Sequence, residues 1–563
     1  MQGRKELSPK LLYQVSLHDL VADDSFYRKL DAALDLRFLY TETEAYYGTE
    51  GQQSIDPVVF FKICLVGYLN NLTSDRRLMA FCANCLDVRW YVRYDIDEPL
   101  PWHSTISRTR QLLGEEVFLS LFRKVLRLCV QRGMVAGRRQ AVDSAYIKAN
   151  ASMDSLVEKA VLDDVALYAG ELDAQSEYKV SRTRKKLVER HHRWKEVAYK
   201  GQPGGSLKRQ APVDEHGHLI RPKFLSNHTH YSPVDPDARI SVKPGKARQL
   251  NYYGQLSVDE SNHVITAACA DHADKRDSQC MAQILGQAVS NLKTEGLNIQ
   301  EIIADTGYSS GESLRACALH GVEAWIPNFG QYVPERPGFT YIAKGDYYQC
   351  TRGNRAKLTF KGLRTDSKGY TKRTYRSSEH DCGPCPLRKS CCGAATRFKK
   401  IDDSVDKPLY DAMHAKMQAK PEYAQKMRRI RSRTVEPVLG TLLNFLGMRK
   451  VYTRGLKQAN KHVLMAALAY NLKKYVKYIS KQPSQPIDAK HQAAHASNPP
   501  AHVTSGQAGR NRPKKAKNHS GSAEKQSYSK WMRIRSFGPM IQFFLNSVVP
   551  SGTAYSTRAF RLV

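Results

Sequence analysis

Three acidic residues stand at positions from which they could hold divalent metal ions. Asp143 lies within a predicted strand, Asp305 follows the last residue of a later predicted strand, and Glu436 is expected on a helix. Two Mg²⁺ or Mn²⁺ ions bound by carboxylates can activate an attacking oxygen and stabilise a leaving oxygen in phosphodiester chemistry. An acid at such a position is more often solvated or a helix cap. The hypothesis therefore requires the three side chains to meet.

Other acids fit such a site less well. Four of them lie in predicted loops or turns and rank below the first three: Asp235, Asp237, Asp259 and Asp271. Glu436 itself precedes Pro437, and a residue before proline is pushed away from helical dihedral angles. We therefore expect Glu436 at the start of a helix rather than inside one.

A cysteine cluster is the second candidate site, because tetrahedral zinc accepts four thiolates and a C-x₂-C pair brings two to one side of the ion. The predicted ligands are Cys382, Cys385 and Cys391, with Cys350 upstream as the fourth. Cys392 or His380 could act as substitutes. The flanking sequence is poor in apolar residues, so structural zinc could supply folding energy that a core does not. Free thiols are the alternative. A catalytic zinc is not expected, because nothing nearby offers an open position with a base.

Alternating polarity predicts the strands that would position the acids. These strands span residues 139–149, 250–258, 263–268, 299–304 and 322–326. The second and third are joined by a short turn, which indicates an antiparallel hairpin. A helix is predicted over 279–292, and another after Ser309 and Glu312, which have the spacing of a capping box. Parallel strands need such helical crossovers, so the order predicts an α/β fold with an RNase H-like mixed sheet flanked by helices and interrupted after its first strand.

Residues 1–135 are predicted to be helical. Asp56 and Pro57 form the cap and first turn of a helix over 58–69. Short, closely connected helices follow, which suit a helix-turn-helix unit with Arg108 and Arg110 in the first turns of a recognition helix. A plain helical bundle explains the same spacing equally well.

Composition defines the remaining segments. The sheet and its helices would occupy 136–330 and 401–480, with a basic helical insert at 152–226 and a Cys-rich insertion at 331–400. Residues 481–530 are rich in Pro, Ala, Ser, Gln, His and Lys, which predicts a disordered basic linker. Residues 531–563 are more apolar and have no assigned role.

The overall composition favours a protein that binds nucleic acid. The 563 residues, 41% of them hydrophobic, are enough for two or three folded units. A net charge of +33 attracts phosphate backbones, although tails and solvated helix faces could also account for it. Neither a membrane-spanning apolar run nor a signal-peptide core is expected, which favours a cytosolic protein whose twelve cysteines are thiols or metal ligands.

Several segments resemble blocks of the DDE transposases of bacterial insertion sequences. The acid-bearing blocks are VDSAYIKANAS (142–152), IIADTGYSS (302–310) and RTVEPVLGTLLNFLGMRKVYTRGLKQAN (433–460). The segments DPVVFFKICLVGYLNNLTSDRRLMAFC (56–82) and PWHSTISRTRQLL (101–113) resemble the helical domain ahead of the catalytic core in that family. YSPVDPDARISVKPGK (231–246) and AYNLKK (469–474) are also similar. Together the resemblance covers most of residues 8–478.

The resemblance implies an enzyme that cleaves and joins DNA with two metal ions. Asp143 would bridge both ions, and Asp305 and Glu436 would each complete one. The freed 3′-hydroxyl would attack the target strand directly, without a covalent protein-DNA intermediate. The implied partners are double-stranded DNA, as terminal inverted repeats and as target, and a second copy of the chain or more. The implied location is the nucleoid in the bacterial cytoplasm, with no membrane partner.

The resemblance also suggests contacts to DNA phosphates. Related enzymes often have an Arg near the Glu and a Lys about two turns after it. Arg433 fits the first position, but the second is Leu443, so Arg449 or Lys450 could take that role.

Two other functions stay open from the sequence. One is a catalytically inactive DNA-binding regulator or architectural protein. The other is a metal-dependent nuclease or resolvase that cleaves strands without joining them.

Overall fold

The computed structural model describes residues 14–48, 50, 53–158, 226–227, 229–241, 247–366 and 369–481. Most of the predicted basic insert (152–226), nearly all of the predicted linker (481–530) and the final segment (531–563) lie outside the described residues. Within the described ranges, none of the helices combines the length and apolar character that a membrane crossing requires.

The N-terminal part of the chain is helical, as predicted. Its helices are α1 (Leu17–Leu20), α2 (Phe26–Ala33), α3 (Phe38–Thr43), α4 (Pro57–Leu69), α5 (Asp75–Asn84), α6 (Leu86–Val92), α7 (His103–Leu112) and α8 (Glu115–Gln131). Asp56 caps α4 as expected, because its carboxylate accepts hydrogen bonds from the backbone N–H groups of Val58 and Val59 at 2.6 and 3.1 Å. A chain of aromatic contacts joins α4 to α8, with the ring centroids of Phe61 and Phe118 5.1 Å apart.

The first sheet has six strands of mixed direction. They are β1 (Arg139–Lys148), β4 (Arg239–Ser241), β5 (Gln249–Asp259), β6 (Ile265–His272), β7 (Glu301–Ile303) and β8 (Glu323–Trp325). β1 is antiparallel to β5 and parallel to β7, and β7 is parallel to β8. β6 and β4 both pair with β5, antiparallel to it. The predicted order of the strands and the predicted hairpin are confirmed.

Helices supply the crossovers between the parallel strands. α9 (Asp277–Thr294) leads from β6 to β7, and α10 (Gly311–Leu319) leads from β7 to β8. Both were predicted, but the cap of α10 lies one residue later than expected: Ser310, not Ser309, accepts the backbone N–H of Ser313 at 3.0 Å. A small antiparallel pair, β2 (Val157–Glu158) with β3 (His230–Tyr231), flanks the undescribed segment.

The Cys-containing segment folds into a second sheet, which is antiparallel throughout. Its strands are β9 (Phe339–Ile342), β10 (Tyr347–Cys350), β11 (Lys357–Thr365), β12 (Thr371–Ser377) and β13 (Lys400–Ser404), with the short helices α11 (Glu379–Cys382) and α12 (Arg388–Cys392) between the last two. Tyr348, Leu358, Tyr375 and Ile401 form a buried apolar cluster in it. The expectation that this segment lacks a core was wrong, because alternate residues of its strands put their few large side chains on one face.

Three helices complete the described chain: α13 (Lys407–Ala419), α14 (Pro421–Phe445) and α15 (Leu456–Ile479). α14 packs against β1 and β5, and α15 packs against β6 and α8. The amide of Asn471 on α15 bonds both backbone groups of Ile265 on β6, at 2.9 and 2.8 Å. The Asn460 side chain accepts the N–H of Ala270 on the same strand at 3.0 Å. α15 thus binds the backbone of β6 directly.

Candidate active site

The first two acids lie next to each other because of the register of parallel strands. Ala141 of β1 is paired with Ile303 of β7, and Asp143 and Asp305 each follow two residues later. Asp305 turns the chain at the end of β7, where its carboxylate accepts the backbone N–H of Gly307 at 2.9 Å. The sheet therefore places both carboxylates near the same edge, as the sequence predicted.

The third acid reaches the site from α14, through an arginine. Arg431 donates to Asp143 Oδ2 at 2.8 Å and to Glu436 Oε1 at 3.0 Å. The side chains of Arg431 and Asp143 are 17% and 16% exposed, whereas that of Glu436 is 53% exposed. One guanidinium therefore joins the first and third acids. Arg433, the residue that the sequence suggested for the position near Glu436, instead forms an ion pair with Glu260 at 3.1 Å.

Glu436 lies inside a continuous 25-residue helix and not at a helix start. The expectation based on Pro437 was wrong. Val435, Val438 and Leu442 are buried at helical spacing on both sides of the proline. Their burial stabilises the helical conformation by more than the proline disfavours it, at the cost of one backbone hydrogen bond.

The electrostatics of the site show a shortage of positive charge. Burial raises the pKa of Asp143, and the negative charges of Asp305 and Asp277 raise it further. The Ser144 N–H and Arg431 oppose this shift but do not cancel it. Adjacent carboxylates that depend on a single guanidinium are an environment that favours a bound cation. Oxygen donors of this kind suit hard divalent ions such as Mg²⁺.

The described part of the chain nevertheless contains no ready-made group of three or more His, Cys, Asp or Glu side chains close enough to hold a metal ion. Arg431 lies where a cation between Asp143 and Glu436 would lie. The three carboxylates have the right chemistry for divalent ions. The Arg431 side chain would have to change its position before they could bind the same metal ion.

Two protein-family models match the sequence. One, described as a transposase domain, matches residues 15–112, and the other, described as a transposase DDE domain, matches residues 349–476. Together the two matches indicate a transposase and support a DDE transposase of an insertion sequence. The second match contains Glu436, whereas Asp143 and Asp305 lie outside both matches. A search among curated proteins found no match.

Two of the lower-ranked acids of the transposase stabilise the start of α15. Asp235 is fully buried, and its Oδ1 accepts the hydroxyl of Tyr252 at 2.5 Å and the N–H of Gly455 at 3.0 Å. Asp237 accepts the N–H of Leu456 at 2.9 Å. These carboxylates satisfy backbone donors at a helix N-terminus, so they have a structural role there.

The other two lower-ranked acids also have structural partners. Asp259 accepts the N–H of Gly137 at 2.8 Å and the side-chain amide of Gln140 at 2.9 Å. Asp271 forms an ion pair with Lys275 at 2.6 Å. Among the described residues, neither acid is bonded to Asp143, Arg431 or Glu436.

The two arginines predicted on a recognition helix differ in their surroundings. Arg108 is exposed, and Trp102 just before the same helix is 78% exposed. Arg110 instead forms a two-bond ion pair with Asp75 of α5, at 2.8 and 3.0 Å, with both side chains less than a quarter exposed. Arg110 therefore connects α7 to α5, and a DNA contact of Arg110 stays a prediction.

The basic residues after α14 are accessible. Arg449 contacts the side-chain oxygen of Asn444, and the Lys450 ammonium lies 5.1 Å from the ring centroid of Tyr452. Lys450 also lines an open groove of about 390 Å³ together with Lys148. Positive side chains in an open groove can bind DNA phosphates.

The predicted zinc ligands do not form a ready-made site. The Cys350 thiol lies 2.6 Å from the carbonyl oxygen of Arg352, and a Cβ on the adjacent Gly353 would meet the Cys385 sulfur at 2.6 Å. The other three cysteines of the segment are Cys382, Cys391 and Cys392. Burial and the neighbouring thiol of Cys391 raise the pKa of Cys392 to about 11. All five cysteines of this segment are free thiols.

Sequence reasoning missed two residues of the site, Arg431 and Asp277. Arg431 lies five residues before Glu436, and only the turn of α14 shows that it reaches Asp143. Asp277 is the first residue of α9, a position in which an acid usually needs no explanation beyond the helix dipole. Its closeness to Asp143 depends on the packing of α9 against β5 and β6.

Proposed function

We propose that this transposase cuts DNA at transposon ends and joins the freed 3′-hydroxyls to target DNA, using Asp143, Asp305 and Glu436 to hold two divalent metal ions. The observation that carries the proposal is that one arginine, Arg431, joins Asp143 of β1 to Glu436 of α14, beside the strand end that carries Asp305. Two acids that only served solubility would not share one largely buried guanidinium.

The fold supports this assignment. The sheet order β6, β5, β1, β7, β8, with the first three strands antiparallel and the last three parallel, is the order expected of an RNase H-like core. We assign that core to residues 136–330 and 401–480, with the second sheet as an insertion at 331–400. Residues 1–135 form the DNA-binding part in this scheme, either as a helix-turn-helix unit or as a plain helical bundle.

The bound ions would supply a nucleophilic oxygen and neutralise charge on the phosphorus. The chain's own residues prepare this site. β1 and β7 fix Asp143 and Asp305 at one edge, and α14 carries Glu436 on a side chain exposed enough to move. Arg431 partly compensates the charges of Asp143 and Glu436 before loading, and when released it can bind a DNA phosphate beside them.

The DNA surface would include accessible cations of the N-terminal helices and of the core. Arg108, Arg433, Arg449 and Lys450 are the proposed phosphate contacts. Two DNA ends must be brought together for joining, so we propose an assembly of at least two chains. An enzyme of this kind acts at the nucleoid.

A structural zinc ion is a separate proposal for the Cys-containing segment. Its support is the approach of the Cys350 loop to Cys385 and the grouping of the other thiols. A four-sulfur site would require these half-buried side chains to move closer together. The second sheet has its own core, so zinc would fix the loops rather than fold the segment.

The test is strand cleavage and joining on a labelled transposon end in Mg²⁺. Asp143→Asn, Asp305→Asn and Glu436→Gln should each abolish cleavage while leaving end binding intact, because the charge is lost and the shape is kept. Asp274→Asn, which removes an exposed acid in the loop before α9, is the matched control and should cleave normally. Retained cleavage by Asp143→Asn would remove it from the site. Cleavage without joined product in the unmodified enzyme would instead favour the non-joining nuclease.

A further inference from the structure

A fourth carboxylate, Asp277, is held beside two of the proposed metal ligands, Asp143 and Asp305. The hydroxyls of Ser144 and Tyr253 both lie 2.5 Å from its Oδ1 atom. Ser144 is the residue after Asp143 on β1, and Tyr253 is on the neighbouring strand β5. Asp277 therefore connects the first residue of α9 with the two strands at the centre of the site.

The anchor on Oδ1 is rigid. Tyr253 is only 6% exposed, and its ring stacks on that of Tyr146, the residue opposite it in the β1 and β5 register, with centroids 4.7 Å apart. The Ser144 and Tyr253 hydroxyls are themselves 2.7 Å apart. Two hydroxyls on one carboxylate oxygen fix the direction of the other oxygen.

That second oxygen faces Asp305. A Cβ placed on Gly307 would lie 2.7 Å from Asp277 Oδ2 and 3.0 Å from Asp305 Oδ1, so both carboxylates contact the same glycine. Capping of α9 does not explain this position, because its N-terminus is closed by Arg276 and Gln279. Within the described ranges, no side-chain donor is bonded to Asp277 Oδ2. An unneutralised carboxylate beside another one is costly unless a cation joins them.

We propose that Asp277 is a positioning residue of the transposase site. Its Oδ1 fixes Ser144, and through it the segment of β1 that carries Asp143. Its Oδ2 adds a negative charge beside Asp305 that strengthens the binding of a divalent cation there. This inference rests on the proposed function, because it concerns the same cation site.

The test measures binding of Mn²⁺ alone to the DNA-free transposase, by electron paramagnetic resonance and by calorimetry. Asp277→Asn keeps an acceptor for both hydroxyls but loses the charge, and Mn²⁺ affinity should fall about 10- to 100-fold, the usual effect of losing an outer partner of a metal site. The melting temperature without metal should stay unchanged or rise, because a repulsive charge is removed. Asp274→Asn, three residues earlier and exposed, should bind Mn²⁺ as the unmodified protein does.

The outcomes separate this inference from the proposed function. Wild-type Mn²⁺ affinity in Asp277→Asn, with binding lost in Asp143→Asn, would overturn the role of Asp277 and leave the proposed function intact. Wild-type affinity in Asp143→Asn would overturn both. Should Asp277→Asn not fold, Tyr253→Phe tests the same anchor, because it removes one hydroxyl and keeps the charge. A several-fold weaker affinity is then expected, and an unchanged one would refute the proposal.

Discussion

Two arginines on one helix provide the sharpest test of how the N-terminal helices work. Arg108 and Arg110 are two residues apart on α7, and both were expected to contact DNA. The structure separates them, since Arg108 is exposed whereas Arg110 makes two charged hydrogen bonds to Asp75. Replacing each by alanine should therefore change different properties of the protein.

For Arg110→Ala the expected result is a loss of stability. Removing one partner of a buried ion pair leaves the other charge uncompensated, which costs about 3–5 kcal/mol. The side chains of Arg110 and Asp75 are 18% and 22% exposed, so we expect the lower end, about 3 kcal/mol. Urea denaturation followed by circular dichroism measures this loss. In the double variant with Asp75→Leu the loss should be smaller than the sum of the two single losses.

For Arg108→Ala the expected result is weaker DNA binding with little change in stability. A surface substitution changes the unfolding free energy by about 0.5 kcal/mol or less. If Arg108 contacts a phosphate, the salt dependence of end binding should fall by about one unit of slope. The reasoning is refuted if Arg110→Ala folds as stably as the unmodified chain and loses the salt-dependent affinity instead.

Three further predictions concern other sites. Burial lowers the pKa of His462 to about 4. Between about pH 6.5 and 4 the unfolded chain therefore binds a proton that the folded chain does not, and stability is lost as the pH falls through that window. In His462→Gln this loss, at most about 3 kcal/mol, should disappear from the pH profile of the unfolding free energy measured by urea denaturation. Gly307→Ala should impair cleavage and lower the melting temperature, because its Cβ would meet, at 2.7 and 3.0 Å, oxygens of two carboxylates that hydrogen bonds hold in place. Normal cleavage would contradict this packing. Metal analysis of reduced protein should find one zinc per chain, and Cys382→Ser should lose it, whereas a zinc-free unmodified protein would end the zinc proposal.

The sequence predicted the sheet because its signals are local. The alternating strand that carries Asp143 and the buried strand that ends at Asp305 are each visible within ten residues. The Asp56 and Pro57 cap of α4 is equally local. The register that puts Asp143 beside Asp305 then follows from pairing two parallel strands.

Other features needed the packing of distant segments. Arg108 and Arg110 are equivalent in the sequence, and only the closeness of α5 shows which of them is paired. Pro437 was given too much weight because the burial of Val435 and Val438 is a tertiary effect. Arg431 was missed because its target, Asp143, is nearly three hundred residues away in the chain.

The contact between α15 and β6 has a consequence for synthesis of the protein. Among the described strands β6 pairs with β5 alone, and the asparagines of α15 occupy backbone groups that another chain could otherwise bind. A nascent chain exposes that strand edge until the ribosome has made the helix near residue 479. Products that stop short of α15 would therefore be prone to aggregate, and premature termination would yield insoluble fragments rather than partly active ones.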